Sequence, residues 1–542
     1  MTDWDPAQRR APQVRWGIWA ALAICTLFVA VQAGGLDYGT TVNNLPHVAR
    51  YQIKDPAAAA TALQRRNLIL DKSSFAESLD KRMLRFKLYS VEADEVVSIM
   101  ALARMRPADL RLDPGFYLYG GAWFYPLGAW YFALREVGAI ELGPLAAMAA
   151  APDRMDGVYI AGRLFVLIAA ALSGFVFFLA ARRLVPSGSA CLMLGLYFAA
   201  PATVAFSQMI KPHWYAMLFV NLAVLIVLRG YLDRKFGWLA AALTGFALGL
   251  AVGAVQTFGL FAILVWVALA LAARRGFVAW PLLIAVPVTA LLVFVVTNPY
   301  AVINWETYVT ERSKVTSEWF TFALHPKYLW RFVAGSLLPG LGIGLTVLAL
   351  AVSAWRLVAG AALERWTAAG LILSVLVVGY VTASLSQWHI NLRYAPYLLS
   401  AGLLFVGFNL GARRNIWLGL CLALTLLQSV PMWLAYRDED SVAHSTRMRA
   451  ARWLDSTLKA GAGVRVDTAH PSPYEVPPFD FTRIHLNLPG WQYHVRVERQ
   501  PRWVTIPADT KLVARFRPRV TTHWFPLVYG HINPQISIYQ RR

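Results

Sequence analysis

Eleven apolar runs, each near the length that crosses a bilayer, dominate this chain, and they leave few folds open to it. A helix needs about 20 apolar residues to span the hydrocarbon core. Runs near that length lie at 17–34, 158–181, 188–208, 213–229, 237–254, 256–273, 277–297, 331–354, 367–385, 394–411 and 415–435. The basic clusters Arg182-Arg183, Arg229 to Lys235, Arg274-Arg275, Arg356 to Arg365 and Arg413-Arg414 fall at every second junction. Lys and Arg collect in cytoplasmic loops, so these junctions are expected inside, together with the amino terminus and its Arg9, Arg10 and Arg15. The composition agrees: 58% of the 542 residues are hydrophobic and only 15% are charged, against about 25% charged in soluble domains. A soluble enzyme and a disordered chain are thereby excluded. The net charge of +21 reads first as topology and not as a sign of nucleic acid.

The opposite junctions are then expected outside: residues 35–118, Ser207 to Trp214, Asn298 to Trp330, Ser386 to Tyr394, and everything after Tyr436. The stretch from Tyr119 to Ala151 must cross an even number of times, as a re-entrant or interfacial hairpin (eleven spans) or as two short crossings (thirteen). The first run could also be a cleaved signal peptide, but Trp16, Trp19 and Gln32 favour a retained anchor. The expected architecture is a polytopic α-helical membrane protein: a transmembrane domain over 1–436, including the outer loop 35–118, and a small extracytoplasmic α/β cap over 437–542. An amphipathic stretch from Ala57 to Arg85 would lie on the membrane surface. In the cap, a helix near Ser445 to Ala460 precedes strand-like runs at Val464–Asp467, Tyr493–Glu498, Lys511–Phe516 and Gln535–Tyr539. Cys25, Cys191 and Cys421 lie within apolar runs at no metal-ligand or redox spacing.

Ionisable groups beside membrane helices are costly, which makes them the first functional candidates. Asp94-Glu95 can supply a general base and a group that orients it, or can simply be the solvated start of a helix Val96–Arg104. Lys211 and His213, in a turn between two spans, can hold an anionic headgroup or snorkel at the interface. In Gln387-Trp-His389-Ile-Asn-Leu-Arg393-Tyr394, Arg393 can fork a lipid phosphate with two hydrogen bonds. Arg163 lies six residues into a span and needs an anionic partner, from the protein or from a ligand. One acidic pair and several cationic positions on one face suit transfer from a lipid-linked phosphate. No Walker loop, dinucleotide fingerprint, HExxH or complete GxSxG constellation supports a soluble nucleotide donor.

At these residues the chain resembles the GT-C glycosyltransferase superfamily, in particular bacterial relatives of dolichyl-phosphate-mannose protein mannosyltransferases and of the lipid A aminoarabinose transferase. The resemblance rests on the Asp94-Glu95 pair with Pro114 to Tyr119 after it, Arg163-Leu-Phe opening a long span, and Phe206-Ser-Gln with Lys211-Pro-His213. It continues through Gly245 to Leu250, Thr297-Asn-Pro-Tyr300 and Arg393-Tyr-Ala-Pro396. It implies an inverting transferase acting on the extracytoplasmic side of the inner (cytoplasmic) membrane. A polyprenyl-phosphate sugar would be the donor, and a protein, glycan or lipid hydroxyl the acceptor. Asp94 would be the base with Glu95 beside it, while Arg163, Lys211, His213, His389, Arg393 and Tyr394 would serve the donor phosphate. Some relatives use a divalent cation, which His213 or His389 with Glu95 could bind; no cofactor is otherwise implied. The chain departs from the family in three places: Asp37 occupies the usual position of the first-loop acid, His213 stands where many relatives carry Asp, and Gln256-Thr257 where they carry Lys. A transporter or flippase of lipid-linked sugars is the alternative function. A structural membrane subunit would leave Arg163 and Arg393 unexplained.

Overall fold

The computed structural model describes residues 12–40, 45–65, 79–319, 326–383, 395–439, 441–467, 476–486, 490–498, 508–520 and 532–542. It is a multi-pass α-helical membrane protein with a small sheet at its carboxy-terminal end. Among the described residues six helices are long and apolar enough to cross a membrane: Arg15–Ala33, Asp153–Ala181, His213–Leu232, Gln256–Arg274, Trp280–Thr297 and Gly411–Glu439. A seventh is added if Val333–Leu341 and Ile343–Ala359, bent by 107° at Gly342, form one broken span. Gly342 turns that corner at φ +93°, a conformation that only glycine adopts without strain. The shorter apolar helices Ser187–Ala199, Trp238–Ala254 and Leu398–Asn409 fall on three more of the apolar runs.

Contacts between helix ends sort the junctions into two faces. On one, Arg183 pairs with Asp233, the Arg234 guanidinium lies 5.7 Å from the Phe277 ring, and Arg356 pairs with Glu364 at 2.8 Å. There too Arg356 donates to the Asn409 carbonyl at 2.7 Å, and the Ser189 hydroxyl to Asn415 Oδ1 at 2.6 Å. The basic junctions of the sequence thus gather on a single face. On the opposite face Gln208 donates to Gln32, the Trp433 indole to the Val31 carbonyl at 3.0 Å, and the Gly120 amide to the Ala254 carbonyl at 3.1 Å.

The stretch 119–151 contains one sixteen-residue helix, Gly121–Glu136, and one six-residue helix, Leu145–Ala150. The longer helix begins where the Gly121 amide donates to Asn298 Oδ1 at 2.8 Å, at the end of Trp280–Thr297. It finishes against the start of Asp153–Ala181, with Tyr131 donating to the Val158 carbonyl at 3.0 Å and Arg154 pairing with Glu141 at 2.9 Å. Its two ends thus contact the end of Trp280–Thr297 and the start of Asp153–Ala181. Its first turn is packed to backbone contact, because a Cβ on Gly120 would stand 1.9 Å from the Gly253 carbonyl oxygen and 2.0 Å from Asn298 Oδ1.

The carboxy-terminal region matches its expected pattern closely. Helix Thr446–Thr457 is capped by Ser445, whose hydroxyl accepts from the Met448 amide at 3.3 Å. Among the described residues five strands, β1 (Gly463–Asp467), β2 (His485–Leu486), β3 (Tyr493–Glu498), β4 (Thr510–Phe516) and β5 (Gln535–Arg541), form a mixed sheet in the order β2-β1-β3-β5-β4. Only β2 escapes the sequence reading, since two residues carry no alternation. The core under the sheet combines Val464, Val466, Val495, Ile536 and Ile538 with Val48, Met83 and Phe86 from the loop after the first span. Within the amphipathic stretch of that loop the described helices are Pro56–Arg65 and Leu79–Leu88, and the second turns Met83, Leu84 and Phe86 into protein.

Gly120→Ala should force the Gly121–Glu136 helix away from the ends of its two neighbours. Overpacking of this kind costs about 1 to 3 kcal/mol, to be read as a lower unfolding temperature in detergent, and Gly237→Ala, at the extended residue before Trp238–Ala254 with open space around its Cβ position, is the matched control.

Candidate active site

The site grows from the helix Ala93–Arg104, which begins three residues earlier than expected. Glu92 is its extended N-cap residue, and Asp94 and Glu95 fall in the first turn, where acids complement the helix dipole. Val96, Val97, Ile99 and Met100 bury its apolar side. The acids do start a helix, but the start is not solvated. Glu95 is fully buried, Glu92 nearly so, and only Asp94 keeps access, with about a fifth of its side chain exposed.

Arg163 finds its anion in the protein. Its Nε and Nη2 donate to the two Glu95 carboxylate oxygens at 2.9 and 2.7 Å, and its Nη1 donates to the Leu36 and Tyr38 carbonyls at 2.6 and 2.7 Å. Its guanidinium carbon lies 3.8 Å from the centre of the Tyr38 ring. Glu95 also accepts from the Ser90 hydroxyl at 2.5 Å and the Ile210 amide at 3.0 Å. Two side chains expected to act on substrate are therefore committed to each other, with four donors on one carboxylate. The Gly35–Thr40 turn closes over them, and Gly39, at φ +73°, lies so near Val91 that a Cβ would stand 2.1 Å from its methyl group. Asp37 in that turn is exposed, while the flanking carbonyls point at Arg163.

Lys211 does not snorkel. Its ammonium is fully buried, 2.9 Å from Asp94 Oδ2 and 3.1 Å from Glu92 Oε1, and 5.3 Å from the Phe206 ring centre. The shared cation fixes Asp94 beside Glu92, a residue that sequence reasoning passed over although its spacing of three from Glu95 places both at one helix start. Burial pushes the Glu92 carboxyl up to about 7; Lys211 opposes the shift, and Asp94 and Glu95 add to it. His213 is buried between the rings of Phe206 and Tyr119, with centroids at 5.9 and 6.4 Å. His389, Arg393 and Tyr394 lie outside the described residues. Among the described residues no group of three or more His, Cys, Asp or Glu is placed to hold a metal ion.

Two further tyrosines complete the walls. Tyr38 packs edge-on against Tyr436 of the last long helix, with centroids 4.8 Å apart and planes at 86°. Nearby, the Pro114–Tyr119 segment is held by a second polar network. Asp113 accepts from the Gly115 amide at 2.9 Å, from the Tyr117 hydroxyl at 3.0 Å and from Asn304 at 2.7 Å. Tyr300 accepts from the Leu112 amide at 3.2 Å, and Arg312 donates to the Tyr117 carbonyl at 2.9 Å. The Asn-Pro-Tyr and Pro-Gly-Phe-Tyr pieces, distant in sequence, thus meet at the same face as the acids.

No family model matches the chain, and no curated protein matches it.

Arg163→Met should leave Glu95 as an uncompensated buried charge and cost about 3 to 5 kcal/mol, whereas Arg163→Met with Glu95→Leu should recover much of that loss. Thermal unfolding of the two single variants and the double variant measures the coupling, and simple additivity would deny it.

Proposed function

We propose that this protein is an inverting glycosyltransferase that moves a sugar from a polyprenyl-phosphate donor to a hydroxyl of a protein, glycan or lipid. The observation that carries the reading is the position of Asp94: within a buried cluster of acids and cations at the ends of membrane helices, it alone of the three carboxylates retains access. In the reaction, Asp94 takes the proton of the acceptor hydroxyl while that oxygen bonds to the anomeric carbon from the face opposite the phosphate. The anomeric carbon–oxygen bond to phosphate breaks, and its electron pair leaves with the polyprenyl phosphate. Such a leaving group needs charge stabilisation more than a proton. Lys211 lies beside the base, His213 follows it, and the resemblance adds His389, Arg393 and Tyr394 for the donor phosphate. Arg163 contributes by holding Glu95, and so the first turn that carries Asp94.

The sidedness of this reading follows from charge. With the basic face cytoplasmic, the amino terminus is inside, the apolar runs make eleven crossings of the inner membrane, and 119–151 is a hairpin. The site and the carboxy-terminal cap then face the extracytoplasmic side, where lipid-linked donors replace soluble nucleotides.

Purified protein incubated with a panel of polyprenyl-phosphate sugars and acceptors should release polyprenyl phosphate. Asp94→Asn should lower that release by about a hundredfold or more, general-base catalysis contributing 10²- to 10⁴-fold, with normal insertion into the membrane. Full activity in Asp94→Asn would remove Asp94 as the base. Binding across the panel without release would point to carriage of lipid-linked sugars instead.

A further inference from the structure

The Trp280–Thr297 helix sets the level of the membrane at the face that carries the acids. Its eighteen residues make about 27 Å of helix against a hydrocarbon core about 30 Å thick, so Thr297 ends at the edge of the core. Leu291, Leu292 and Val296 on it are exposed, as lipid-facing residues are. The chain turns at Asn298 and runs through Pro299–Ile303 into Trp305–Trp319. This last helix, with Asn304 ahead of it, has three sides. Asn304, Tyr308, Glu311 and Arg312 face Asp113 and Tyr117. Glu306, Thr307 and Thr310 make an exposed polar side. Between these two sides Trp305 and Val309 are exposed at helical spacing, and Val302 and Ile303 from the preceding turn are exposed beside them. A tryptophan just past the end of a span marks the headgroup layer, so this apolar strip continues the lipid-facing surface of the span.

The turn from Arg106 to Arg111 stands on the same base. The Tyr300 hydroxyl accepts from the Leu112 amide at 3.2 Å and donates to the Leu110 carbonyl at 3.5 Å. Tyr300 is three residues past Thr297, a reach of about 10 Å at most, which keeps it in or against a headgroup layer about 5 to 8 Å deep. At the tip of the turn Leu110 is 82% exposed and takes the left-handed conformation, φ +55°, which costs a leucine more than it would cost Gly or Asn. The turn thus holds an apolar side chain outside the protein in a strained backbone. Arg106 and Arg111 are directly opposed in an antiparallel bridge, with amide-to-carbonyl bonds of 2.7 and 3.0 Å. Residues so opposed project to one side of the pair, where like charges repel. Both arginines are exposed, and Asp109 in the same turn offsets one of the two charges. A phosphate between the guanidinium groups removes the repulsion.

We propose that this turn docks on the bilayer: Leu110 enters the acyl boundary, and Arg106 and Arg111 bracket the phosphate of an anionic phospholipid, beside the apolar strip of Trp305–Trp319. The occupant is the bulk lipid of the leaflet at this face. Docking fixes the height of the Leu112–Tyr119 segment above the membrane, and this segment leads directly into the Gly121–Glu136 helix. The inference rests on the membrane location of the chain and is independent of the transferase reading.

The full chain, with Cys25, Cys191 and Cys421 replaced by Ala, is given a nitroxide at Ala108→Cys in the turn or, as control, at Thr310→Cys on the polar side of the neighbouring helix. It is studied in nanodiscs of phosphatidylcholine alone or mixed equally with phosphatidylglycerol. Collisional relaxation by oxygen reports acyl surroundings, and relaxation by a neutral nickel chelate reports water. The label at 108 should be relaxed more by oxygen and the label at 310 more by nickel. Phosphatidylglycerol should lower nickel access at 108, and Arg106→Gln with Arg111→Gln should remove that effect, each arginine favouring the docked form by about fivefold. Leu110→Asn, which suits the left-handed position, should raise nickel access at 108 in both lipids. Nickel access at 108 equal to that at 310 overturns the docking. No response to phosphatidylglycerol, or a response that survives the double Gln variant, overturns the phosphate contact of the arginines. Unchanged nickel access in Leu110→Asn overturns Leu110 as the anchor.

Discussion

The two-point contact between Arg163 and Glu95 organises the site side of this protein. It joins a long membrane helix to the first turn of the Ala93–Arg104 helix, and through the Leu36 and Tyr38 carbonyls it joins both to the chain leaving the first span. The Ile210 amide adds the turn between two further helices. Four segments, from Leu36 to Ile210, thus meet on one guanidinium and one carboxylate. A buried pair of this kind contributes little net stability compared with apolar residues of the same volume, but breaking it on one side is expensive. Its value here is positional: Asp94 is the neighbour of a residue that cannot move.

The helical part of the fold was readable because lipid imposes a length on every crossing, and the basic junctions do gather on one face. The strands β1, β3, β4 and β5 were readable from alternation, and β2 was not, being two residues long. The acids were readable as candidates, yet their division of labour was not. Adjacent carboxylates look equivalent in a sequence; burial and partners make Glu95 a strut and leave Asp94 the accessible one. Glu92 was invisible for the same reason, since only the fold brings Lys211 from 119 residues away to lie between it and Asp94. Lys211 itself misled, because a lysine beside Trp214 and a helix start has the pattern of an interfacial anchor.

The polar loops serve one another more than they serve solvent. The Leu112–Tyr119 segment is tied to Tyr300, Asn304 and Arg312, and the Gly121 helix start to Asn298. Asp438 and Glu439, at the end of the last long helix, hold the sheet region through Arg519, Arg447 and the Asn533 backbone. Three residues earlier on that helix, Tyr436 leans on Tyr38 over the Arg163 guanidinium. The carboxy-terminal region and the acid cluster therefore share one helix end.

The mixed parentage of the second core fixes an order of assembly. Val48, Met83 and Phe86 emerge from the ribosome long before the strands that cover them. Between the two lie all the long helices after the first. The early segment must wait, with its apolar side chains uncovered, through the insertion of the whole helical bundle. Folding of this chain cannot proceed strictly from one end to the other, and truncation of β5 would be felt at Val48, almost five hundred residues upstream.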